Sequence, residues 1–129
     1  MRGIQTVAQD HGLLSKKPRK IMVTVTYQEA QTQTWETISE GVTRTLLRAE
    51  PGEKRVLIKI AAGRTYPHHA HATPDEVFVV AGTYCDPGVE GGRAFPAGSY
   101  LYYPPGTEHR ASSPAGSEGC TILVWNSGK

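Results

Sequence analysis

His69, His71, His109 and Glu76 lie in a part of the chain punctuated by glycine and proline. The first segment reads Gly63-Arg64-Thr65-Tyr66-Pro67-His68-His69-Ala70-His71-Ala72-Thr73-Pro74-Asp75-Glu76. It runs on through Val77-Phe78-Val79-Val80 to Gly82. The second reads Gly98-Ser99-Tyr100-Leu101-Tyr102-Tyr103-Pro104-Pro105-Gly106-Thr107-Glu108-His109. On a strand, His69 and His71 point to one face, and His68 points to the other. Glu76 follows the turn-like Thr73-Pro74-Asp75 and opens a strand-like apolar run, so a hairpin would return it to the histidine pair. His109 arrives after the Pro104-Pro105-Gly106 turn. Imidazoles and a carboxylate with room left for water or substrate suit Fe(II), Zn(II), Mn(II) or Ni(II). An H-x-H pair alone is a weak signal, and a single strand-edge glutamate is ordinary; the joint occurrence with His109 carries the reading.

The elements that must position these residues are read as strands. Ile21 to Tyr27 alternates in part, with Ile21, Val23, Val25 and Tyr27 on one face. Gly41 to Arg48 and Arg55 to Ile60 form two more strands joined through Pro51-Gly52, with Val56, Ile58 and Ile60 facing inward. Cys120 to Trp125 closes the set. Tyr100, Tyr102 and Tyr103 bring phenols toward the site, mostly as packing residues with a polar tip; Phe78, Tyr100 and Tyr102 are taken as substrate contacts. Residues 1 to 14 read as a short helix or an arm, with Gly3 and Gly12 weakening the helix. The basic run Lys16-Lys17-Pro18-Arg19-Lys20 reads as a solvated turn.

A chain of 129 residues fits one domain with one core. Fourteen glycines and nine prolines favour an all-β chain rich in turns. The net charge of +2 gives no case for nucleic acid or a membrane surface. No apolar run approaches the roughly 20 residues of a membrane span, and no apolar signal core opens the chain, so a cytoplasmic location is expected. Cys85 and Cys120 show no zinc spacing and are expected to be reduced thiols.

The two segments resemble the two motifs of the cupin superfamily. Gly63, His69, His71, Glu76 and Gly82 fill the first, with the Glu76–Gly82 interval one residue shorter than the family pattern. Gly98, Pro104, Gly106 and His109 fill the second, with Ser113 where the pattern ends in asparagine. The resemblance implies an all-β cupin jelly-roll barrel and the metal ligands His69, His71, Glu76 and His109. Residues 1–34 are then an N-terminal arm with an extra strand, and 35–129 the cupin domain. A strand such as Ile21 to Tyr27 often crosses to a second subunit in cupins, which implies a homodimer.

A finer resemblance, over about residues 35 to 125, is to the ChrR-like cupin group. It rests on Trp35, Gly41-Val42, Gly82-Thr83-Tyr84-Cys85-Asp86, Ala97-Gly98-Ser99-Tyr100, Pro104 to His109 and Gly119-Cys120. That group includes a zinc-holding anti-sigma factor domain and stand-alone cupins of the acetylacetone-cleaving type. Residues 1 to 34 hold only His11 and no cysteine, so the sigma-binding zinc domain is not expected here. The resemblance implies a non-haem iron dioxygenase acting on a small diketone or hydroxyketone, with Glu76 as ligand or, if displaced, as the base that takes the α-proton. The diketone-cleaving relatives are similar in using three histidines alone, so Glu76 argues for the common four-ligand site. The competing expectations are a non-enzymatic zinc-binding sensor or regulatory module, and another non-redox metal enzyme.

Overall fold

The structure is a computed structural model that describes residues 2–10, 20–67, 69–70 and 72–127, with side chains described from residue 24 onward except that of His69. His68, His71 and residues 16–19 of the basic run lie outside the described residues. The chain forms two compact units, Met1–Gln33 and Thr34–Lys129.

The first unit is an antiparallel pair, β1 (Arg2–Asp10) and β2 (Lys20–Gln28), in register from Arg2 opposite Gln28 to Asp10 opposite Lys20. The expected strand at Ile21 to Tyr27 is present within β2. Of residues 1 to 14 the structure describes Arg2–Asp10, which is a strand throughout and not the helical alternative; residues 11 to 14 lie outside the described residues. In this strand Ile4, Thr6 and Val7 are β-branched and favour the extended chain, and β2 supplies the backbone partners that an isolated segment lacks.

The second unit is built of β-strands and turns, with no helix among its described residues. Its strands are β3 (Glu36–Ser39), β4 (Val42–Glu50), β5 (Glu53–Ile60), β6 (His69–Ala70), β7 (Asp75–Tyr84), β8 (Phe95–Pro96), β9 (Tyr100–Tyr103), β10 (Glu108–His109) and β11 (Cys120–Ser127). The main sheet runs β3-β4-β5-β11-β7-β8, with β9 also paired to β7; β10 and β6 form a separate two-stranded ladder. Glu50 opposes Glu53, so the β4–β5 turn narrows to Pro51-Gly52, where Gly52 supplies φ +92°.

The core is built by alternation. Val56, Ile58 and Ile60 on β5, Val77 and Val79 on β7, and Ile122 and Val124 on β11 are all buried, as the sequence pattern of β5 leads one to expect. Gly82 opposes Cys120 with φ +75°, and a Cβ there would lie 2.0 Å from the Gly119 carbonyl oxygen, so only glycine lets the two strands close. Cys120 is buried and Cys85 half-buried, both free; burial pushes the Cys120 thiol up to about 11. Lys59 places its ammonium 4.3 Å from the Trp35 ring centroid, tying the lead-in of β3 to β5. Among the described residues no helix is long and apolar enough to cross a membrane.

Candidate functional site

The site is assembled by a zipper of backbone hydrogen bonds. The Gly63 amide donates to the Ser113 carbonyl (2.8 Å), and the Tyr66 amide to the Ala111 carbonyl (2.8 Å). Thr65 bridges Ser112, with hydroxyls 2.9 Å apart. The same antiparallel run continues as the β6–β10 ladder, where His109 opposes His69 and Glu108 opposes Ala70. Directly opposed positions share a face of a ladder, so the backbone register sets position 69 beside position 109. Ser113, where the family pattern has asparagine, is buried and donates its hydroxyl to the Thr83 carbonyl at 2.6 Å.

His109 is buried, with its Nε2 2.7 Å from Asp75 Oδ2. Asp75 is itself 2% exposed and accepts a second hydrogen bond, at Oδ1, from the Asn126 side-chain amide. A buried carboxylate needs such partners, because leaving its charge unsolvated would cost several kcal/mol on the order given by ion desolvation.

Glu76 is elsewhere. Successive side chains of β7 alternate, and Asp75, Val77 and Val79 are buried while Phe78 and Val80 are exposed. Glu76 belongs to the second set. Its carboxylate accepts from the Tyr100 hydroxyl and, at 2.7 Å, from the Trp125 indole N–H. The bond to Glu76 pushes the Tyr100 phenol above its ordinary value.

The structure therefore does not bring Glu76 to His109; the carboxylate it brings there is Asp75. Phe78, Tyr100 and Tyr102, expected to touch substrate, lie on that same far face and are 37%, 53% and 54% exposed. The reason is the phase of the strand. Both alternating sets of the run from Asp75 to Val80 are apolar after their acid, so the pattern alone does not choose between them. One signal did choose: counting from Asp75 to Gly82 restores the residue that the Glu76 interval lacks.

His109 is backed by a second buried network. The Tyr103 ring packs on its imidazole with centroids 4.7 Å apart. The Tyr103 hydroxyl donates to Asp86 Oδ2 at 2.8 Å, and the Tyr84 hydroxyl lies 2.8 Å from that of Tyr103. Asp86 also accepts from the backbone amides of Arg110 (3.0 Å) and Gly88 (2.8 Å). An ionised carboxylate only accepts, so the Tyr103 proton points to Asp86 and Tyr84 donates to Tyr103. Burial raises both phenols, Tyr84 and Tyr103, well above the ordinary value. Asp86 thus holds both the ring against His109 and the amide of the next residue in the chain.

A cavity of about 100 Å³ opens beside the Asp75–His109 pair. Its wall is apolar through Val56, Ile58, Val77, Ala111 and Val124, and its polar groups besides the pair are Arg44, Lys54, Tyr66 and Asn126. Arg44 Nη1 donates to the Tyr66 hydroxyl at 2.7 Å, and Nε and Nη2 donate to Glu36 Oε1 at 3.2 and 2.9 Å. Burial works against the Arg44 charge, but the bonds to Glu36 and Tyr66 outweigh it and hold the guanidinium protonated. Arg44, Lys54 and Asn126 carry no local sequence signal for this site. Only the strand pairing gathers them.

Among the described residues no group of three or more His, Cys, Asp or Glu side chains clusters as a metal site. The donors that are described nevertheless fit an ion. An imidazole nitrogen and a carboxylate oxygen 2.7 Å apart are close to the separation of about 3 Å that adjacent octahedral donors have for bonds near 2.1 Å. Position 69 stands opposite, and Asn126 orients the carboxylate from behind, as outer-shell partners of metal ligands do.

Residues 23–128 match the family described as ChrR Cupin-like domain. Among solved structures, an RmlC-like cupin from Shewanella frigidimarina is similar, with 24% identity over 80% of this chain and 90% of that one, and a TM-score of 0.69. An acetylacetone dioxygenase from Acinetobacter johnsonii is 23% identical over 72% of this chain and 67% of that one, at a TM-score of 0.62. The anti-sigma factor ChrR of Rhodobacter sphaeroides, in complex with SigE, is 22% identical over 76% of this chain and 50% of that one, at a TM-score of 0.64. These likenesses show the fold, the cupin β-barrel. None of the curated proteins matches the chain.

Proposed function

The chain belongs to the ChrR cupin-like domain family, and on that footing we propose that it is a metal-dependent enzyme of the non-haem dioxygenase type, acting on a small diketone or hydroxyketone. The observation that carries the reading is the buried Asp75–His109 pair, 2.7 Å apart at the edge of a largely apolar cavity. The proposed ligands are His69, His71, Asp75 and His109 for one divalent ion, with iron the expected metal for oxygen chemistry. The ion supplies Lewis-acid polarisation of a chelating carbonyl and, as iron, electron transfer to oxygen.

The chain's own residues prepare the ground for that chemistry. Asn126 holds one oxygen of Asp75 so that the other faces His109. The Tyr103 ring fixes the plane of the His109 imidazole. Val56, Val77, Ala111 and Val124 supply an apolar part of the cavity wall, which strengthens the electrostatic contacts beside it.

One observation favours a second reading. The cavity, at about 100 Å³, is small beside the roughly 300–1,000 Å³ of ordinary ligand pockets, which suits a zinc-holding sensor or regulatory module with no substrate. Elemental analysis of protein purified without added metal, followed by anaerobic Fe(II) reconstitution and oxygen uptake with a panel of β-diketones, separates the two. Iron near one per chain with uptake supports the oxygenase. Stoichiometric zinc without uptake supports the sensor, and no transition metal in either preparation overturns both.

A further inference from the structure

Four strands stand in register across one end of the cavity. Lys54 on β5 opposes Asn126 on β11, Asn126 opposes Asp75 on β7, and Asp75 opposes Tyr103 on β9. Opposed residues share a sheet face, so Lys54 is on the face of the Asp75 carboxylate, one strand beyond Asn126. It lines the cavity at an exposed position.

The charge of Lys54 is not taken up by the scaffold. Nearby Arg48 pairs with Glu50 and Glu53, and Arg55 pairs with Glu53. Among the described residues Lys54 makes no ion pair. Asn126 between it and Asp75 is engaged with the carboxylate. Arg44 also lines the cavity, but its charge is paired with Glu36 at 2.9 Å and its Nη1 is bonded to Tyr66, which leaves Lys54 as the cation for an incoming anion. Around these groups the wall is apolar, and a low-dielectric wall strengthens the pull of a cation on an incoming anion.

We infer that the substrate is a small oxo acid, whose carbonyl end lies toward Asp75 and His109 and whose carboxylate is held by Lys54. This rests on the metal-dependent reading of the site and departs from it in the substrate, an oxo acid in place of a neutral diketone or hydroxyketone. A neutral diketone of the same size carries no group for Lys54. A charge-assisted hydrogen bond at such a position supports a preference of about tenfold to a hundredfold.

The test is calorimetric titration of the full 129-residue chain loaded with redox-inert Zn(II), using acetoacetate and acetylacetone as a size-matched anionic and neutral pair. Acetoacetate binding at least about tenfold tighter, with the preference lost in Lys54→Met and kept in Lys54→Arg, supports the assignment. Equal affinities in the native chain, or a preference that survives Lys54→Met, overturn the oxo acid and leave the metal site standing. Full zinc loading with neither compound bound overturns it as well. Failure of the native chain to take up zinc overturns the metal-dependent reading and this inference with it.

Discussion

Asp75 and Glu76 are consecutive carboxylates with opposite surroundings. One is 2% exposed against His109 and Asn126, and the other is bonded to Tyr100 and Trp125 across the far face. Their substitution should separate them. Asp75→Asn is expected to weaken metal binding by at least about tenfold, since even outer partners of ligands are worth 10–100-fold, while Glu76→Gln leaves metal content unchanged. Metal content by elemental analysis reads both, and loss of the ion in Glu76→Gln would refute the face assignment. Tyr103 gives a second expectation. In Tyr103→Phe the ring stays beside His109, but Tyr84 and Asp86 each lose a buried partner. Each unmet group costs roughly 1–3 kcal/mol, so the melting temperature should fall by at least about 5 °C for a unit of this size. An unchanged melting temperature would mean that the hydroxyl chain does not support the fold.

At the scale of elements, the site depends on how strands are joined rather than on their individual propensity. Among the described residues the β6–β10 ladder is two residue pairs long, too short to persist by itself. It is aligned by the longer contacts of 63–66 with 111–113 and by the Asp86 bond to the Arg110 amide. The β7–β11 junction is set by Gly82. Gly82→Ala meets a carbonyl oxygen at 2.0 Å in a left-handed backbone and should destabilise by roughly 2–6 kcal/mol, the sum of strain and overpacking. Gly52 has a similarly positive φ but open space around it. Gly52→Ala should therefore cost only about 1–2 kcal/mol. Urea midpoints of the two variants measure the difference, and equal losses would show that the close approach at Gly82 relaxes freely.

At the scale of the whole molecule, stability should fall on the alkaline side. Burial raises the Cys120 thiol to about 11 from an ordinary value of 9.0. Its neutral form is favoured in the folded state, so its contribution is complete below pH 9 and is lost as pH rises toward 11. The full loss is roughly 3 kcal/mol at most. Tyr84 and Tyr103, both raised by burial, add to the same slope above pH 10. Denaturant midpoints from pH 7 to 11 should decline, and less so in Cys120→Ala between pH 9 and 10; a flat profile would contradict it. Several features of this molecule were legible along the chain: the all-β class, the inward face of Val56, Ile58 and Ile60, and the Pro51-Gly52 turn. Each depends on periodicity, turn chemistry or spacing, which are local properties. The phase of β7 was not legible in its alternation, because both alternating sets of Asp75 to Val80 are apolar; the Asp75–Gly82 spacing was the one sequence signal for it, and the neighbouring strands decide which set is buried. The gathering of Arg44, Lys54, Asp75, Asn126 and His109 around one cavity belongs to the tertiary structure alone. These residues are distant in sequence, and the register of β4, β5, β7, β10 and β11 is a set of pairings between strands that no single segment specifies.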